Sequence, residues 1–181
     1  FHGADAVHSH IEERNSRRER PVEVIVEPHP LGTAGALHAL PDTPQRWLIR
    51  NVDHVSDVDL PSLLQSPESP CTAVLSEVEI PIDEGVVKVD AGQVVDWMER
   101  PVHRVMVTTG LYLFTRSALA GVLSGQPLDM PDLVREMMPE VTAWTHRGTW
   151  FDAGTPERLR AAERWWRDRR SGHPRIAEIS S

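Results

Sequence analysis

Two short apolar runs in this chain each end on an aspartate. Trp47-Leu48-Ile49-Arg50 leads into Asn51-Val52-Asp53, and Trp150-Phe151 leads into Asp152-Ala153-Gly154-Thr155-Pro156. Ligands of open α/β sheets collect at the carboxyl ends of strands, and Mg²⁺ takes one or two protein carboxylates, with water and substrate phosphates as its other ligands. Asp53 and Asp152 are therefore the candidate catalytic and metal-binding pair, remote in the chain and expected to converge on one divalent cation. Asp57 and Asp59 follow closely, but Asp is favoured at N-caps and in first turns, so these two are expected to cap the next helix.

Other segments have the chemistry to meet a ligand. Leu31-Gly32-Thr33-Ala34-Gly35-Ala36-Leu37 follows Glu27-Pro28-His29-Pro30 and surrounds a strand-to-helix turn with small residues. Its exposed backbone N–H groups suit a flat ring or a phosphate, and the same residues also serve a tight turn that packs a helix on a sheet. In Glu99-Arg100-Pro101 the carboxylate can accept from two neighbouring sugar hydroxyls and the guanidinium can fork onto a phosphate; the other reading is an exposed ion pair of small value. Gly85 and Gly110 stand at strand boundaries, where a missing Cβ either admits a ligand to the main chain or simply makes a turn or bulge. Covalent and zinc chemistry lack candidates. The histidines are scattered, His8 and His10 point to different faces of a helix, no Gly-x-Ser-x-Gly elbow occurs, and Cys71 lies in a strand-like run as an inert thiol.

The elements that position these residues alternate. Helices are expected over Ala4 to Arg14, Gly32 to Leu40, Asp59 to Gln65, Ser117 to Leu123, Met130 to Met138, and from Thr155-Pro156-Glu157 to Ser171-Gly172. In the last of these Leu159, Ala162 and Trp166 share a packing face, with Trp165 widening it. Strands are expected over Val22 to Glu27, Trp47 to Arg50, Thr72 to Val78, Val105 to Phe114 and Val141 to Thr145, with a hairpin over 86–97 turning at Gly92. This is an α/β protein with a mixed sheet in one domain over residues 1–170, followed by a loose tail at 171–181.

Composition limits the partners. The 181 residues carry a net charge of -8, which disfavours nucleic-acid and anionic-membrane binding, and no run is apolar enough for a transmembrane helix. A single cysteine suits a cytoplasmic setting. Lys88 is the only lysine and falls in a strand, so no loop lysine serves phosphate.

Taken in order and spacing, Leu31 to Leu37, Asn51-Val52-Asp53, Glu99-Arg100-Pro101, Thr109-Gly110-Leu111-Tyr112 and Trp150 to Pro156 resemble the sugar-1-phosphate nucleotidyltransferases, in particular their mannose-1-phosphate guanylyltransferase-like branch. The resemblance runs to about Arg170. It implies a Rossmann-like nucleotidyltransferase fold with a mixed, mostly parallel sheet flanked by helices. The implied reaction is a Mg²⁺-dependent attack of a sugar 1-phosphate on a nucleoside triphosphate, releasing pyrophosphate and a nucleotide-sugar. By the same resemblance Asp53 and Asp152 hold Mg²⁺, Gly32 with Thr33 contacts the nucleotide, Glu99 with Arg100 binds the sugar phosphate, and Gly85 and Gly110 turn bare backbone to the sugar. GTP with mannose 1-phosphate is the first substrate pair, glucose with TTP or UTP the next, and a manno-heptose phosphate stays open.

The chain departs from the family at four points. Val52 replaces the glycine of Asn-Gly-Asp, Thr108 the asparagine of Asn-Ala-Gly, and Arg100 the lysine of Glu-Lys-Pro. It also opens on Phe1-His2-Gly3 without the family's first strand, Gly-rich loop and Lys-Pro. The expectation is an N-terminally truncated domain, weak or inactive alone, with an exposed sheet edge that lowers stability or drives self-association into a homo-oligomer. A non-catalytic nucleotide-sugar-binding regulatory domain is the alternative, and an α/β interaction module without ligand the third reading.

Overall fold

The computed structural model describes residues 4–17, 19 and 21–170. Its elements are α1 (Ala4–Asn15), β1 (Arg46–Arg50), β2 (His54–Ser56), α2 (Leu60–Leu64), β3 (Cys71–Pro81), β4 (Val86–Asp90), β5 (Gln93–Met98), β6 (Val102–Thr115), α3 (Met130–Glu136), β7 (Thr142–His146), β8 (Trp150–Asp152) and α4 (Pro156–Arg170). Two short 3₁₀ segments occur at Gly35–Ala39 and Ser117–Gly121.

The main sheet has the order β1-β6-β3-β7, with β3 and β7 parallel from Thr72↔Thr142 to Ser76↔His146. Two antiparallel pairs accompany it, β2 with β8 and β4 with β5. The expected α/β architecture with a mixed sheet is present. From Thr109 to Thr115 β6 is buried at every position, the pattern of a strand covered on both faces, whereas Val102–Met106 and all of β5 are exposed.

The described chain divides into two units. One takes the residues up to Trp47 with Glu68–Cys71 and Phe114–Val141, and its buried residues include Leu31, Ala34, Leu37, Phe114, Leu119, Met130 and Leu133. The other takes Leu48–Pro67, Thr72–Leu113 and the residues from Thr142 on; its core is Leu63, Val74, Leu111 and Leu113, with Leu48, Val58 and Trp144 packed against it.

Several elements differ from expectation. Val22 to Glu27 forms no strand. Val22, Ile25 and Val26 are exposed, and the Asn15 side chain takes both backbone groups of Val22, accepting from its N–H and donating to its carbonyl at 2.8 Å each. Alternation without a partner strand makes no ladder. The helices expected at Gly32 to Leu40 and Ser117 to Leu123 shrink to single 3₁₀ segments, since a few residues with glycine among them cannot sustain a helix. β3 and β6 run longer than expected, and β2 was not foreseen. In α4 only Ala162 is buried, while Leu159 and Trp166 are about half exposed. The expected helix end at Ser171-Gly172 and the tail lie outside the described residues. Among the described residues no helix is long and apolar enough to cross a membrane.

Cys71 has no accessible surface, and burial pushes its thiol up to about 12. A thiol reagent at about pH 8 should label it only after urea unfolds the chain. Stoichiometric labelling of the native protein would show that the start of β3 opens.

Candidate functional site

The aspartate pair is built by one turn and one short ladder. Beyond β1 the His54 N–H donates to the Asn51 carbonyl at 3.2 Å, closing a turn with Val52 and Asp53 at its centre. Neither central residue has a positive φ, so the turn needs no glycine, and the Val52 side chain is 97% exposed. Strand β2 then pairs with β8 so that His54 faces Asp152, and the Ala153 N–H donates to the Asp53 carbonyl at 2.8 Å. The bare Cα of Gly154 lies beside both carboxylates. A Cβ built there would stand 3.1 Å from Asp152 Oδ1 and 3.3 Å from Asp53 Oδ2, so the two oxygens are no farther apart than those distances laid end to end.

Asp152 is also oriented. Its Oδ1 accepts from the Gly154 N–H at 3.1 Å, and its Oδ2 accepts from Arg158 Nη1 of α4 at 2.9 Å. Thr155 starts α4 by accepting from the Arg158 N–H through its hydroxyl at 3.3 Å, as expected of a Thr-Pro helix start. Two hard oxygens beside a side-chain-free position suit Mg²⁺, which asks for few carboxylates. Among the described residues no group of three or more His, Cys, Asp or Glu forms a metal-binding cluster.

Beneath the pair lies a buried polar layer. The Thr109 carbonyl accepts from His54 Nδ1 at 2.6 Å and Trp150 Nε1 at 3.2 Å, while His54 Nε2 contacts Ser56 Oγ at 2.7 Å. Because a carbonyl only accepts, the proton of neutral His54 is on Nδ1, and Nε2 accepts a hydrogen bond from the Ser56 hydroxyl. Burial is the main cause that lowers the His54 pKa and keeps it neutral. Next along β6, Gly110 has φ +79, and a Cβ there would come within 2.6 Å of Asn51 Nδ2. Glycine is thus required twice, for its backbone angle and for the Asn51 side chain lying on it. The Asn51 N–H donates to the Gly110 carbonyl at 2.8 Å, fixing the start of the Asp53 turn.

Asp59 caps α2 as expected, accepting from the Ser62 N–H at 3.3 Å. Asp57 does not cap, which corrects the sequence expectation. Its side chain is only 9% exposed: Oδ1 accepts from the Thr149 N–H at 2.7 Å and pairs with His146 Nε2 at 3.3 Å, and Oδ2 accepts from Arg169 Nη1 at 3.0 Å. The Asp57 N–H returns a bond to the Thr149 carbonyl at 3.2 Å. Asp57 therefore clamps the residue immediately before β8, the strand that ends on Asp152. Its partners are about ninety residues or more away in sequence, so no local pattern pointed to them.

The remaining candidates fall in two places. In the unit containing the pair, Gly85 faces an indole: a Cβ there would meet Trp97 Cζ2 at 2.9 Å. The Trp97 Nε1–H donates to Glu99 Oε2 at 3.0 Å. Arg100 follows at φ +46, an angle that costs a non-glycine residue about 1 kcal/mol and turns the chain beyond Glu99. In the other unit Gly32 has φ +75, and a Cβ there would meet the Leu128 carbonyl oxygen at 2.6 Å. Thr33 is tied to the same segment. Its N–H donates to Asp129 Oδ1 at 3.1 Å, and its hydroxyl oxygen accepts from the Met130 N–H at 2.7 Å. Its polar groups thus anchor the loop to the start of α3.

A family model described as Nucleotidyl transferase matches residues 3–168. Among solved structures, HddC from Yersinia pseudotuberculosis is similar with a TM-score of 0.63 and 20% identity, over 89% of this chain and 74% of that one. The same protein complexed with GMP-PN is similar at 0.62 and 19%, over the same shares. A Bacillus anthracis protein assigned as a glucose-1-phosphate thymidylyltransferase, solved in complex with a sucrose, is similar at 0.58 and 18%, over 87% of this chain and 68% of that one. At these identities the likeness shows the fold. No curated protein sequence matches.

Two outcomes follow for this layer. Asp57→Ala, which strips partners from the Thr149 N–H and from buried His146, should lower unfolding free energy by about 3 kcal/mol in urea titrations; Asp57→Asn, whose amide oxygen still accepts, should cost about half as much. For His54 the folded pKa lies below the ordinary histidine value of about 6.5, so the unfolded chain takes up the proton first. The contribution of His54 is complete above about pH 6.5 and declines as pH falls from there through the depressed folded value. Urea midpoints measured across this range should fall less steeply for His54→Asn than for the wild type.

Proposed function

The chain belongs to the nucleotidyl transferase family, and on that premise we propose that it transfers a nucleotidyl group from a nucleoside triphosphate to a sugar 1-phosphate in a Mg²⁺-dependent reaction, giving a nucleotide-sugar and pyrophosphate. The observation that carries this reading is the convergence of Asp53 Oδ2 and Asp152 Oδ1 beside the bare Cα of Gly154. GTP and mannose 1-phosphate, or a related sugar, are the first pair to test, a choice supported by the similarity to HddC with its GMP-PN complex. The buried, free Cys71 supports a reducing, cytoplasmic setting.

In the proposed reaction an oxygen of the sugar phosphate attacks the α-phosphorus in line as the bond to pyrophosphate breaks. No covalent nucleophile is needed, because positioning and charge neutralisation carry such displacements. Asp53 and Asp152 would hold Mg²⁺, which when bound offsets negative charge on the phosphates. Arg158 balances Asp152 through its bond to Oδ2. Glu99 orients the sugar hydroxyls, Arg100 forks onto a phosphate, and Gly85 keeps the main chain on the sugar side free of bulk, whereas the bare face of Gly110, expected to do the same, is taken by the Asn51 side chain. Gly32 gives the nucleobase a flat backbone approach, and Thr33 fixes the loop that carries it through Asp129 and Met130.

Val52 favours one second reading, a regulatory domain that binds a nucleotide-sugar without turnover. Its β-branched side chain projects almost fully exposed where the family has glycine, beside Asp53.

Pyrophosphate release by the complete open reading frame, crossing nucleoside triphosphates against sugar 1-phosphates, tests the enzyme. One pair should turn over with Mg²⁺, lose activity on chelation, and fall by about 100-fold or more in Asp53→Asn and in Asp152→Asn. Full activity in either variant would overturn the assignment. Calorimetric binding of a nucleotide-sugar with no pyrophosphate release from any pair would favour the regulatory reading.

A further inference from the structure

We infer that Trp97 is a latch on Glu99 that an incoming sugar 1-phosphate must displace, which makes this tryptophan a determinant of the ligands the site admits. The inference rests on the proposed role of Glu99 and Gly85 on the sugar side. Three features of the free protein carry it. The indole N–H donates to Glu99 Oε2 at 3.0 Å, so one carboxylate oxygen is occupied. The same ring covers Gly85 so closely that a Cβ would stand 2.9–3.1 Å from Cζ2, Cε2 and Nε1. Yet Trp97 is 64% exposed on a strand exposed along its whole length, so little buried area holds the ring there.

The geometry of β5 explains how the ring reaches both partners. Trp97 pairs with Val87 and its neighbour Met98 with Val86, which brings the Trp97 ring to Gly85 at the entrance of β4. Two residues on from Trp97 the chain places Glu99, and Arg100 at φ +46 turns away beyond it. One indole thus blocks both the bare backbone and an oxygen of the carboxylate.

The physical consequence is a competition in donor number. The indole offers Glu99 one N–H, whereas two adjacent sugar hydroxyls offer two O–H donors, one to each oxygen. A ligand with one donor merely exchanges bond for bond and gains little by opening the latch. A vicinal diol gains a bond and then meets the uncovered Gly85. Selectivity of this kind arises from the contact that must be given up as well as from the one that is made.

The test uses the whole chain with Trp97→Phe, which keeps an aromatic ring and removes the N–H, Glu99→Gln, and the double variant. Mannose 1-phosphate and glucose 1-phosphate are the probes, followed by calorimetry and by the indole N–H resonances in ¹H–¹⁵N spectra. The Trp97 signal, identified by its loss in Trp97→Phe, should move in Glu99→Gln and on adding one of the sugar phosphates. Trp97→Phe should bind that sugar phosphate about fivefold more tightly, the size of one solvent-exposed hydrogen bond, and should gain nothing in the Glu99→Gln background. If Glu99→Gln weakens binding while Trp97→Phe binds no better than wild type, the sugar reading stands and the latch is overturned. If Glu99→Gln alters binding of neither sugar phosphate and no addition moves the Trp97 signal, the sugar reading fails and the latch with it.

Discussion

The hydrogen bond from the Ala153 N–H to the Asp53 carbonyl is the contact on which the candidate site turns, because it ties together two loops that the chain delivers from far apart. It extends the ladder of β2 and β8, only three residue pairs long. Isolated two-stranded ladders are marginal at best in water, and each net hydrogen bond contributes only about 1 kcal/mol. The ladder must therefore be held from outside. Asn51 lying on Gly110 sets one loop, and Asp57 clamping Thr149 sets the other.

The support is polar, in a unit whose core is built of leucine and valine. His54, Thr109 and His146 are buried and the Asp57 side chain is 9% exposed; His54 bonds the Thr109 carbonyl and the Ser56 hydroxyl, Thr109 the Val74 carbonyl, and Asp57 pairs with His146 and Arg169. Apolar packing is non-directional and tolerates small slips; a buried carboxylate with one oxygen on an amide and the other on a guanidinium does not. For a pair of carboxylates that must meet around one ion, a directional foundation specifies position where a hydrophobic one would specify only proximity.

How much of this was legible in the sequence depended on the range of the interaction. The strand ends at Asp53 and Asp152, the hairpin over 86–97, the Asp59 cap and the Thr155-Pro156 helix start all rest on local signals of alternation, turn and cap chemistry, and they appear where expected. Val22 to Glu27 carried the alternation of a strand and failed for want of a partner, information that alternation cannot hold. Asp57 looked like a second cap because its three partners lie far along the chain. Trp97 gave no sign of its role, since a tryptophan in a β-rich run looks like packing until its N–H is seen on Glu99. Motif order pointed to the family; which atoms each motif residue touches could come only from coordinates.

Arg169 stands near the last described turn of α4, yet its guanidinium reaches Asp57, while Arg158 in the first turn of the same helix reaches Asp152. The helix is thereby pinned at both ends to the scaffold of the carboxylate pair, like a splint laid across a joint. Shortening α4 before Arg169, or fusing a bulky partner against that end, would be felt at the opposite end of the splint even though no residue of the pair had been touched.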